Sequence, residues 1–71
     1  MEDQLRKAIT ESRPLTARAV NDAKNEVLLS WSIVLTLEVD GRTRRDQTVP
    51  KYLLETVDRV QNEMLRRMRD A

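Results

Sequence analysis

The chain has 71 residues, enough for one small domain, since two compact domains normally need well over a hundred. Thirteen Lys and Arg face twelve Asp and Glu, a net charge of +1, so no strong global field draws the chain to nucleic acid or to an anionic membrane. Cys and His are both absent, which excludes disulfides, thiol catalysis, the usual zinc sites and the commonest general base.

The first predicted element is a short amphipathic helix over residues 3–12, where Leu5, Ala8, Ile9 and Ser12 fall at i, i+3, i+4 and i+7. Glu2 and Asp3 stand where the positive end of the helix dipole favours acidic groups. Pro14 ends the helix near Ser12, because its ring clashes with the carbonyl four residues back and biases Arg13 away from helical angles.

Residues 15–26 admit two readings. A helix aligns Leu15, Ala19, Ala23 and Val27 at spacings of four; a strand running through Leu15, Ala17 and Ala19 pairs them with Trp31, Leu29 and Val27 on one face. The second reading is the expected one, because it also gives residues 27–31 a pairing partner.

From Val27 to Val39 every odd position is apolar, a period of two that predicts a long strand with one buried face. Asp40-Gly41 follows, a preferred pair for a two-residue hairpin turn, and Gly41 is the sole glycine of the chain. Residues 42–49, polar throughout, are expected to return as an edge strand. That pairing carries a conflict: a strict two-residue turn sets Arg42 and Arg44 opposite Val39 and Leu37, on the apolar face.

The C-terminal segment predicts a helix from about Pro50 to Arg69, with Leu53, Leu54, Val57, Val60, Met64, Leu65 and Met68 at three- and four-residue spacings. The expected fold class is therefore α+β: a short N-terminal helix, an antiparallel sheet of two or three strands (27–39 and 42–49 the surest), and a long C-terminal helix packed on one sheet face. Two helices followed by a hairpin and a helix is the alternative.

Leu, Ile and Val supply 18 of the 71 residues, so the chain should fold. Its core is small all the same: Phe is absent, Trp31 and Tyr52 are the only aromatics, and a domain of this size buries only ~60% of the surface its unfolded chain exposes. Association supplements such cores when no disulfide or metal does, and a homodimer is the expected state. The start, Met1-Glu2-Asp3-Gln4, lacks the basic and apolar regions of a signal peptide, and no run approaches ~18 apolar residues, so a soluble, cytoplasmic protein with no membrane contact is expected.

Two clusters are candidate sites. Residues 41–71 carry eight basic and five acidic side chains, against five and seven in residues 1–40. Arg42, Arg44 and Arg45, with Arg59, Arg66 and Arg67, are the candidate macromolecule-binding residues, with phosphate contact as one use. Trp31, Tyr52, Met64, Leu65 and Met68 are the candidate association residues, being of types that anchor interfaces or adapt to grooves. Asp40 and Asp46 have turn-like and Arg-rich settings, so no catalytic, cofactor-binding or metal site is assigned, and no small-molecule substrate is inferred. The expected function is a small non-enzymatic protein-protein interaction module, an adaptor, regulator or inhibitor, with itself and another protein as partners. The alternatives are nucleic-acid binding through the arginines, or a structural subunit of a larger assembly.

Overall fold

The computed structural model describes residues 4–70, which form four helices: α1 (Gln4–Thr10), α2 (Ala17–Asp22), α3 (Asn25–Arg44) and α4 (Lys51–Asp70). No strand and no β-hairpin occur among these residues, so the expected α+β class is corrected to all-α. Residues 27–39 lie wholly within α3, and 42–49 divide between the last turn of α3 and the loop after it. Residues 15–26 contain α2, so the helical reading holds there and the three-stranded meander does not.

The strand signal has a physical origin in a helix. Trp31, Leu35 and Val39, four residues apart, belong to the buried core or pack against it, whereas Leu29, Ile33 and Leu37, also four apart, are each more than half exposed. Two helical stripes offset by two residues together make every odd position apolar, which imitates the alternation of a strand. Val27, Ile33, Val34, Thr36, Val39 and Thr43 are β-branched and lower helix propensity, together by about 3 kcal/mol. Burial of Leu28, Trp31 and Leu35, worth ~1.5–3 kcal/mol for each, outweighs that cost.

Both ends of the expected turn move as well. Asp40 and Gly41 lie in the final turns of α3, and Gly41 does not adopt a positive φ. The left-handed residue is Asp46, at φ 59°: its amide donates to the Thr43 carbonyl at 3.1 Å and the Gln47 amide donates to the Arg42 carbonyl at 2.8 Å. This is a Schellman closure, with Asp46 in the place glycine usually takes. α1 ends the same way, with Ser12 at φ 55° and the Arg13 amide donating to the Ala8 carbonyl at 3.0 Å. The N-terminal helix is thus found as Gln4–Thr10, while Glu2 and Asp3 lie outside the described residues. α4 runs from Lys51 to Asp70, one residue from its expected limits at each end.

α3 and α4 form an antiparallel hairpin, and α2 packs on α4. The core joins Leu5 and Ala8 of α1, Leu15, Val20 of α2, Leu28, Trp31 and Leu35 of α3, and Leu53 and Val60 of α4. Thr56 is the buried polar member: its hydroxyl accepts from the Leu15 amide at 3.2 Å and donates to the Tyr52 carbonyl at 2.8 Å. That pairing satisfies the chain where it enters the core between α1 and α2. The Thr16 hydroxyl caps α2 by accepting from the Ala19 amide at 3.0 Å.

The arrangement has two layers and an open side. α1 and α2 cover the side of the hairpin that carries Trp31, Thr56 and Arg59, and the body measures 39 × 24 × 18 Å. On the opposite side no element of the described chain covers α3 and α4.

Candidate interaction surface

The arginines separate into groups with different partners. Arg42, Arg44 and Arg45 stand at the C-terminal end of α3, while Arg66 and Arg67 stand near the C-terminal end of α4, beside the start of α3. A helix of twenty residues is ~30 Å long, so the two groups occupy opposite ends of the hairpin. They do not make one phosphate-contacting surface.

Each candidate arginine also has an acceptor within the chain. Arg42 pairs with Glu38 at 3.3 Å and is only partly exposed, with its Nε buried; Arg44 pairs with Asp40 at 3.0 Å. Arg45 donates from Nε to the Gly41 carbonyl at 3.2 Å. Arg59 donates to the Leu15 carbonyl at 2.5 Å.

Arg67 has a structural task that no local pattern in the sequence discloses. It donates to the Asn21 carbonyl at 2.9 Å, the Val20 carbonyl at 3.5 Å, Asn25 Oδ1 at 2.8 Å and Glu63 at 2.6 Å. One guanidinium thereby satisfies carbonyls at the C-terminal end of α2 and ties them to α3 and α4. Glu63 holds it in place and also accepts from Arg66. Hydrogen bonds from Arg66 and then Arg67 lower the Glu63 carboxyl from 4.5 to about 2, and Glu63 in turn raises Arg66.

The association candidates divide by burial. Trp31 is buried and Tyr52 and Met64 pack partly buried against the core, whereas Leu65 and Met68 are 55% and 72% exposed. The two exposed ones have company that sequence reasoning did not single out. Leu29, Ile33 and Leu37 on α3 and Leu54 on α4 are likewise more than half exposed. Available as a signal was the all-round apolar character of α3, since a helix that is apolar on every side needs burial on every side.

Between the helices on this open side runs a groove. Its larger section, of about 360 Å³, is lined by Ser32, Thr36, Val39 and Thr43 of α3 and by Leu54 and Val57 of α4, among others. A second section of about 310 Å³ lies toward the other end, among Leu28, Leu29, Met64 and Met68. The hydroxyls of Thr36 and Thr43 donate back to the Ser32 and Val39 carbonyls of their own helix, at 2.8 and 3.0 Å. With those donors engaged, both threonines offer the groove little beyond their methyl groups. The groove is lined mainly by apolar side chains and threonine methyl groups, with Ser32, Asp40 and Gln61 as further polar members of its larger section. Among the described residues no group of acidic side chains is arranged to hold a metal ion, and no helix is long and apolar enough to cross a membrane.

No family model matches the chain, and neither curated proteins nor solved structures yield a match.

Proposed function

We propose that the protein is a non-enzymatic protein-protein interaction module, an adaptor, regulator or inhibitor that covers a surface of another macromolecule with the open side of α3 and α4. The observation that carries this reading is the gathering of six large apolar side chains, each more than half exposed, on and beside one groove: Leu29, Ile33, Leu37, Leu54, Leu65 and Met68. Contiguous exposed apolar surface of this kind marks association sites. The absence of cysteine fits a reducing cytoplasm, where we place the protein.

Nucleic-acid binding has weaker support, because Arg42, Arg44 and Arg45 lie at one end of the hairpin, Arg66 and Arg67 at the other and Arg59 between them, and all donate to carboxylates or carbonyls of their own chain. An apolar dye such as anilinonaphthalene sulfonate tests the surface directly. At submicromolar concentration, where chains are separate, the reading expects the folded Ile33→Asp/Leu54→Asp variant to bind it several-fold less than the parent chain does, with unchanged far-ultraviolet circular dichroism. Equal dye binding by the two folded proteins would count against the surface.

A further inference from the structure

The open side asks for an occupant with an apolar stripe of matching length, and the chain itself supplies one whose spacing reads the same in both directions. On α3, Leu29 and Leu37 stand four residues to either side of Ile33; on α4, Leu54 and Leu65 are placed symmetrically about the junction of Arg59 and Val60. These two centres are level with each other. Leu28 and Leu29 share one groove section with Met64 and Met68, while Ser32 to Thr43 share the other with Leu54 to Gln61, which sets Ile33 alongside Val60. A face with this symmetry is self-complementary under a twofold rotation, the condition for a closed dimer interface.

We infer that a second copy of this chain covers the face, with the twofold axis crossing α3 at Ile33 and α4 beside Val60. The inference rests on the interaction-surface reading above and names its occupant. α3 then lies antiparallel on α3 of the second copy, and α4 on α4, as a four-helix layer. Ile33 meets its own counterpart, Leu29 meets Leu37, and Leu54 meets Leu65.

Charge at the ends of α3 fits this occupant; near the axis Asp58, exposed one turn after Leu54 on α4, stands beside its own counterpart and opposes it. The antiparallel arrangement brings Glu26, in the first turn of α3, within about one helical turn of Arg44 of the second copy, and it opposes the two helix dipoles. Asp40, the acidic group nearest Glu26 across the axis, is held by Arg44 at 3.0 Å, so the end of the interface is not a pair of bare carboxylates.

Because the chain has no cysteine, single Cys substitutions report the register without background. The axis predicts that Ile33→Cys oxidises rapidly to a disulfide-linked dimer, as its two Cα atoms come within the reach of a disulfide. Leu29→Cys alone does not, since its two copies lie about 12 Å apart along the axis of α3. An equal mixture of Leu29→Cys and Leu37→Cys links across. Sedimentation equilibrium should give twice the 8.3 kDa chain mass for the parent at micromolar concentration, and Ile33→Asp should weaken the dimer at least tenfold while keeping its helicity. Arg44→Glu should weaken it less, and adding Glu26→Arg should restore it.

A parent chain that stays monomeric yet binds the apolar dye would overturn the second copy and leave the interaction surface standing. Monomers that bind no dye would overturn both. A dimer in which Leu29→Cys links to itself and Ile33→Cys does not would overturn the stated register.

Discussion

α3 and α4 have the same length, twenty residues, and opposite designs. α4 concentrates its buried residues, Leu53, Thr56 and Val60, on one side and gives most of the rest to charges, so a single helical period is visible in its sequence. α3 is apolar on both sides: Leu28, Trp31 and Leu35 are buried, while Leu29, Ile33 and Leu37 face outward. The contrast teaches that a helix with two apolar faces can produce the period of a strand, and that the misleading period is itself the mark of a second, uncovered face.

Truncating the inner stripe should separate the two faces most strongly. Trp31→Ala should lose about 3–5 kcal/mol of unfolding free energy in urea titrations, and Leu53→Ala on α4 about 2–5, because both side chains are buried in the common core. Leu29→Ala, two residues from Trp31, should change the stability of the monomer by no more than about 0.5 kcal/mol. Next in size is Thr56→Val, which leaves the Leu15 amide without its acceptor at the point where α1 and α2 join the hairpin. A loss of roughly 1–3 kcal/mol is expected, read from the same titrations.

Smaller and opposite in sign are two substitutions that move the glycine. Gly41→Ala should raise stability by about 0.5–1 kcal/mol, as alanine suits a helix interior and its added methyl meets only the movable Arg45 guanidinium, at 3.2 Å. Asp46→Gly should do likewise, since Asp46 holds the left-handed position that closes α3. Were 40 and 41 a tight turn with positive φ, Gly41→Ala would destabilise instead, and thermal unfolding distinguishes the signs.

The least effect concerns pH and the anchoring of α2. The Glu63 carboxyl titrates at about 2 in the folded chain against an ordinary 4.5, so below 4.5 the unfolded chain takes up the proton first. The contribution of Glu63 is fully present above that value and is lost as pH falls toward 2. Unfolding midpoints measured between pH 5 and 2 should fall less steeply in Glu63→Gln than in the parent chain.

How much of this was legible follows from where each signal resides. α1 and α4 were readable because proline punctuates their ends and their apolar residues follow one period. Residues 15–26 contained the helical spacing of Leu15, Ala19 and Ala23, but α2 is a six-residue helix whose stability comes from Thr16, Val20 and Arg67 rather than from length. The clamp made by Arg67 joins residues more than forty positions apart and leaves no local pattern. In α3 the inner and outer stripes were superimposed. One sign of trouble was present all the same: the hairpin register placed Arg42 and Arg44 on the apolar face, a conflict that the helix removes by pairing them with Glu38 and Asp40 one turn back. Of the surface, Leu65 and Met68 were found from α4, and Leu29, Ile33, Leu37 and Leu54 were missed because they had been assigned to a sheet interior or to a helix core.

Ile33 and Leu35 test the two-faced helix most directly, because two residues apart they share a face on a strand and lie on opposite sides of a helix. Circular dichroism and urea unfolding of Ile33→Asp and Leu35→Asp, at submicromolar concentration where chains are separate, decide between these. The account predicts that Ile33→Asp stays folded with nearly the parent's unfolding free energy, whereas Leu35→Asp, burying a carboxylate in the core, does not fold. Equal loss of structure in both variants would contradict it.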